Sequence, residues 1–86
     1  MNEKAIELIE DTILETMVSR KQMTVDGLFN QVVGVCGTVD KPVSMMDYME
    51  AFDRVAGYFD SKMVEVEAVT GYKHKIKMLY IKERYL

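Results

Sequence analysis

The chain has 86 residues, 49% of them hydrophobic and 29% charged, with a formal net charge of −3. That length allows one domain with one modest core and leaves little room for a deep active-site cavity. One Cys excludes an internal disulfide, and one Cys with one His is a poor ligand set for zinc, so neither metal nor cofactor is expected.

From Asn2 to Arg20, Ile6, Ile9, Ile13 and Met17 recur at steps of three and four, with Ala5 and Leu14 beside the stripe. This spacing predicts an amphipathic helix. Asn2 is its expected cap, and acids toward the start with Arg20-Lys21 at the end suit the helix dipole. After a short break, Thr24 is a plausible N-cap for a second helix. Val25, Leu28, Phe29, Val32, Val33 and Cys36 make its apolar face, and Gly37 is its expected left-handed stop. Val32, Val33 and Val35 leave a strand open for part of this segment. A loop from Gly37 to Val43 contains Pro42. Ser44 then caps a third helix, whose stripe is read as Met45, Met49, Phe52, Ala56 and Phe59, widened by Tyr48 and Val55. This helix is expected to end near Asp60-Ser61.

The last quarter changes period. Val64, Val66 and Ala68 alternate with Glu65 and Glu67, and Ile76, Met78 and Tyr80 alternate with Lys75 and Lys77. Period two on both sides of Thr70-Gly71 predicts a β-hairpin. If the acids and lysines share the solvent face, Glu67 opposes Lys75 and Glu65 opposes Lys77. Val66 with Ile76 and Val64 with Met78 then point inward, around a three-residue loop, Thr70-Gly71-Tyr72. Leu79 and Ile81 break the alternation, so that end of the strand is expected to pack on something. Three helices and a hairpin give the order of an α+β winged helix-turn-helix: three helices followed by a two-stranded β-hairpin wing, in a single domain over 1–86. Met23-Thr24 is a candidate for a short first strand between the first two helices.

Residues 1–60 carry a net charge of −6 and residues 61–86 a net charge of +3. The third helix offers Asp47, Glu50, Asp53 and Arg54, three acids against one base, which repels phosphate and suits a protein partner. Nucleic acid contact therefore falls to the wing (Lys73, His74, Lys75, Lys77) and the tail (Lys82, Arg84). Cys36 reads as a buried core thiol. His74, among lysines, has no second ligand or orienting acid in sequence reach. Of the methionines around the third helix and wing, most read as core and Met46 as the most exposed. No catalytic residue set is expected, because no nucleophile, phosphate-loop or metal-ligand spacing occurs. No apolar stretch is long enough to cross a membrane, and Met1-Asn2-Glu3-Lys4 is too charged for a signal peptide. The expectation is an intracellular domain, nuclear in a eukaryote and cytoplasmic otherwise.

From Met23 to Ile81, about two-thirds of the chain resembles the C-terminal winged-helix domain of the origin-recognition and cell-division-cycle AAA+ initiators. The features are Thr24, Leu28-Phe29, Cys36, Pro42, Met45 with Met49, Gly57, and the strand Met63-Val64-Glu65-Val66 leading to a basic return strand. The resemblance implies a non-catalytic module of a DNA replication initiation assembly that binds origin DNA and packs against neighbouring protein subunits; the acidic third helix and the partly neutralised wing leave an expectation of only weak, non-specific contact with double-stranded DNA. Ile13, Met17, Ser19-Arg20-Lys21, Met23 and Leu28 are similar to the first-helix exit of the cullin C-terminal winged helix. The lysine that cullins carry on the third helix has no counterpart here between Lys41 and Lys62. This second resemblance implies a pure protein-interaction module, cullin-like or a small stand-alone regulator.

Overall fold

The stripe of Ile6, Ile9, Ile13 and Met17 is buried on one face of a helix over Glu3–Arg20 (α1) in the computed structural model, which describes residues 3–85. The expected cap at Asn2 lies outside the described residues. α1 stops at Lys21, which takes a left-handed φ of 69° and donates its N–H to the Met17 carbonyl at 2.7 Å. A short strand follows over Gln22–Thr24 (β1), and then a helix over Val25–Cys36 (α2). The Thr24 hydroxyl accepts the Gly27 N–H at 2.9 Å, so the residue that ends β1 also caps α2.

Gly37 is not the left-handed stop that the sequence suggests; its backbone is extended, at φ −112° and ψ 163°. Glycine serves there by close approach. A Cβ would stand 3.0 Å from the Val43 nitrogen and 3.1 Å from the Val33 carbonyl oxygen, where the returning loop crosses the end of α2. Cys36 is half-buried rather than buried, and its thiol donates to the Thr12 hydroxyl at 3.2 Å.

The third helix spans Met45–Val55 (α3), with the Ser44 hydroxyl accepting the Asp47 N–H at 3.4 Å. It ends earlier than expected. A single 3-10 turn over Ala56–Tyr58 turns the chain, and Phe59 already begins a strand. Its buried face is also rotated. Tyr48, Ala51 and Val55 enter the core, whereas Met45 and Met49 are 53% and 58% exposed and Phe52 is half-buried. The reason is steric: Ala51 is fully buried, and its small side chain lets α3 lie close against α1. A purely hydrophobic count weights the large methionines over this alanine.

Two nine-residue strands, Phe59–Glu67 (β2) and Lys73–Ile81 (β3), pair antiparallel, and β1 adds to the other edge of β3. The fold is thus mixed α+β, with three helices and a three-stranded antiparallel sheet in the order β1-β3-β2. The expected two-stranded wing is corrected to three strands. The hairpin register is also two residues from the expected one: Glu67 faces Lys73, Glu65 faces Lys75, and Val64 faces Ile76. A two-residue slip keeps every side chain on its face, so alternation alone does not detect it. The turn decides. Ala68 donates its N–H to the Tyr72 carbonyl at 2.7 Å, leaving Val69-Thr70-Gly71 as the loop. Gly71 then holds the left-handed third position at φ 86°, where another residue is strained.

The faces are reversed as well. Phe59, Leu79 and Ile81 are buried against the helices, so the odd-numbered residues of both strands share the helix-side face. Further out on that face lie Glu65, Glu67, Lys73, Lys75 and Lys77, all exposed. Val64, Val66, Ile76, Met78 and Tyr80, expected to point inward, occupy the opposite face and are half-buried. One face therefore changes from core to solvent along its length, because the hairpin outruns the helices. The radius of gyration, 14.1 Å, exceeds the roughly 12 Å of a compact chain this long.

Gly71→Ala is expected to cost about 1–2 kcal/mol through the left-handed strain. Gly34→Ala, mid-α2 with open space around the added Cβ, is expected to gain about 0.5–1 kcal/mol from helix propensity. Urea midpoints of the two variants check both signs.

Candidate binding surfaces

The sheet separates the cationic residues that the sequence groups together. Lys73, Lys75 and Lys77 project from the helix-side face of β3. Two of them stand opposite Glu67 and Glu65, while Lys77 stands opposite Met63. His74 lies on the other face, where its ring stacks on Tyr72 at 5.8 Å between centroids. Lys82 and Arg84 come after the base of β3, about 30 Å of strand from Lys73. Lys82 is half-buried with its N–H on the Tyr58 carbonyl, and the Arg84 guanidinium sits 5.0 Å from the Tyr85 ring centroid. The three wing lysines make a row; His74, Lys82 and Arg84 do not join it.

The four residues assigned to a protein partner also divide. Arg54 forms a clamp between α3 and α1. Its Nη1 and Nη2 donate to the two carboxylate oxygens of Glu3 at 2.5 and 3.2 Å, its Nε donates to Glu50 at 3.2 Å, and Glu10 lies 3.5 Å away. The hydrogen bond from Arg54 holds the Glu3 carboxyl below the usual carboxylate range, and the same contact raises Arg54. Glu50 and Arg54 thus neutralise each other on the α1 side. Asp47 is half-buried beside the Ser44 cap and lines a cleft of about 490 Å³ between α1 and the loop 41–44, together with Cys36 and Leu8. Asp53 alone lies on the far side of the helix, next to Met49.

That far side is a groove. Val25, Tyr48, Met49, Phe52 and Asp53 line a hollow of about 190 Å³. A second hollow of about 290 Å³ continues from Val25 and Phe52 to Ala56, Phe59, Leu79, Asp60, Ser61 and Lys77. Because the two share Val25 and Phe52, they form one apolar channel along α3 to the base of the wing. Lys77 closes the channel on the wing side, so the lysine row and the Met49–Asp53 surface flank a common space.

Among the described residues, the Tyr48 hydroxyl is a buried side-chain oxygen without a hydrogen-bond partner, and burial pushes its pKa up to about 12. The Tyr48 ring packs edge-on against Phe29 at 4.9 Å and stacks on Phe52 at 6.2 Å. Among the described residues no group of His, Cys, Asp or Glu is placed to hold a metal ion, and no helix is long and apolar enough to cross a membrane.

Sequence reading missed the groove because it assigned Met49, Phe52 and Ala56 to the core. A signal was present. The apolar residues from Met45 to Ala56 span two adjoining arcs, one of Tyr48, Ala51 and Val55 and one of Met45, Met49, Phe52 and Ala56, centred about 100° apart at 100° per residue. A small core takes only one of them. No protein-family model matches the chain, and neither a curated protein nor a solved structure matches it.

Proposed function

We propose that this chain is a non-catalytic binding module of the winged-helix class, which meets protein through α3 and double-stranded DNA, weakly and without sequence preference, through its wing. The element order α1-β1-α2-α3-β2-β3 and the sheet order β1-β3-β2 support the class. A DNA replication initiation (origin recognition) assembly, with its protein subunits as partners, is the setting suggested by the resemblance over Met23–Ile81. The observation that carries the protein-binding part is the character of α3. In a helix-turn-helix this element enters the major groove with basic and amide side chains. Here its open face carries Met45, Met49 and Asp53, and its one base, Arg54, is engaged by Glu3, Glu10 and Glu50. Base readout by such a helix is unfavourable. Lys73, Lys75 and Lys77 support a role of the wing toward phosphate.

A purely protein-binding module, cullin-like or a small stand-alone regulator, is the second reading. The glutamates opposite Lys73 and Lys75 favour it, since they offset two of the three positive charges of the row.

A salt titration with duplex of arbitrary sequence separates the two. Neutralising about 2–4 phosphates gives a log–log slope of about −2 to −4 and a Kd of about 10⁻⁴ M or weaker at physiological salt. Lys73→Glu with Lys77→Glu is expected to abolish the binding, and Asp53→Ala to leave it unchanged or slightly stronger. Absence of binding at low salt selects the second reading. Tight, sequence-specific binding lost on changing α3 overturns both.

A further inference from the structure

We infer that the outer edge of β2 is a self-pairing surface, where a second copy of this chain adds antiparallel and the two sheets become one. The inference goes beyond the binding roles above and holds whichever of them is correct.

The first ground is a row of backbone groups without partners. β2 lies at the end of the sheet order β1-β3-β2 and pairs with β3 residue by residue along its whole length, without a bulge. The Lys82 N–H meets the Tyr58 carbonyl at one end of the hairpin, and the Ala68 N–H meets the Tyr72 carbonyl at the other. Antiparallel pairs alternate, so the even-numbered residues of β2 bond to β3 and the odd-numbered ones turn their N–H and C=O outward. Of these, Phe59 already gives its N–H to the Ala56 carbonyl. Among the described residues, Ser61, Met63, Glu65 and Glu67 are left with both groups open to a further strand. Such an edge is a template for pairing.

The second ground selects a copy of the same strand. A twofold axis at Val64 sets Ser61 opposite Glu67 of the second copy and Met63 opposite Glu65. The four open residues then satisfy one another, each pair exchanging both of its bonds. On the far face of the sheet Val64 meets Val64, and the stem of Lys62 lies along Val66. No like charges stand opposite each other. An axis at Lys62 or at Glu65 opposes like charges, and an axis at Met63 sets Glu67 against Phe59, whose N–H is taken.

The third ground is the contrast with the other free edge. β1 covers only Met78, Leu79 and Tyr80 of β3, and the Ile81 N–H bonded to the Lys21 carbonyl shows that odd-numbered residues of β3 face that side. Beyond β1 those residues are Lys73, Lys75 and Lys77. Every twofold register there opposes lysine to lysine, which guards an edge against its own copies. The β2 edge carries no such guard.

The shape leaves room for the pairing. Phe59, Leu79 and Ile81 lie under the helices at the base, and the hairpin runs on past them. An axis at Val64 places each Phe59 beyond Ala68 of the other copy, so the two helical bodies sit at opposite ends of the joined sheet. One strand edge is smaller than the roughly 800 Å² per partner of a standard interface, and the expected Kd is about 10⁻⁵ to 10⁻⁴ M.

Sedimentation equilibrium of the whole chain, up to about 1 mM, is expected to show the monomer giving way to a species of twice its mass. Over the same range, amide hydrogen exchange is expected to slow at Ser61, Met63, Glu65 and Glu67 and to stay unchanged at Lys73, Lys75 and Lys77. Val64→Lys and Val64→Glu each set like charges at the axis and are expected to weaken association by about tenfold or more, while an equimolar mixture of the two restores it. Leu8→Lys, at an exposed leucine on α1, is expected to change it by less than about twofold. A single monomer mass at about 1 mM overturns the inference. So does a dimer whose slowed amides are those of Lys73, Lys75 and Lys77. Equal losses in Leu8→Lys and the Val64 variants, or a mixture that stays monomeric while both of its proteins are folded, overturns it as well.

Discussion

Met17→Ala is expected to remove about 2–5 kcal/mol of stability, and Met49→Ala less than about 0.5 kcal/mol. The substitution is the same, both residues are helical, and only their surroundings differ. Met17 is fully buried in the cluster formed by the three helices and the sheet, whereas Met49 is 58% exposed at the groove. A chain of this length has only about 4–13 kcal/mol in total, so the first variant loses a large part of it and the second remains folded. Urea denaturation of both is the measurement. If Met49→Ala proved as costly as Met17→Ala, α3 would be packed through the face that the hydrophobic count first indicates, and the groove would not exist.

The second large effect is alkaline loss of stability through Tyr48. An unfolded tyrosine ionises near pH 10, and burial raises the folded value to about 12. With the folded value above the unfolded one, the neutral hydroxyl's contribution is fully present below pH 10. It is lost as the pH rises from 10 to 12, because the unfolded chain gives up its proton first. Two pH units correspond to about 2–3 kcal/mol. Tyr48→Phe removes the ionisation, and it also removes a buried hydroxyl without a hydrogen-bond partner. That variant is expected to be as stable as the parent at pH 7, or about 1 kcal/mol more so. Its advantage is expected to widen steadily above pH 10. Denaturant midpoints from pH 8 to pH 12 read the difference directly. Parallel curves for the two proteins would show that the Tyr48 hydroxyl reaches water or a partner.

The candidate site was legible in its ingredients and not in its arrangement. Arg54 reads from sequence as an exposed base on an acidic helix. Its engagement with Glu3 and Glu10 depends on α1 lying alongside α3, a contact between residues about fifty positions apart. Lys73, His74, Lys75 and Lys77 read as one basic patch. Strand alternation puts His74 on the other face from the three lysines, and this follows from sequence once a strand is accepted. The rotation of α3 was harder to foresee, since it turns on one alanine fitting where a larger side chain does not.

Local order explains which parts of the fold were readable. The steps of Ile6, Ile9, Ile13 and Met17, the hydroxyls of Thr24 and Ser44, and the alternation on either side of Thr70-Gly71 each act within a few residues. Sequence by itself therefore determined three helices, two of their caps, the hairpin and the sharing of one face by Glu65, Glu67, Lys75 and Lys77. The tertiary structure decided which side of each element meets the core. Both faces of the hairpin and both arcs of α3 hold enough apolar surface to be buried, and 86 residues form a core large enough for only one of each. Close contact at Ala51, burial of Leu79 and Ile81, and the left-handed position of Gly71 settled the choice, leaving the Met49–Phe52 arc open as a groove and the Val64–Ile76 face turned away from the helices.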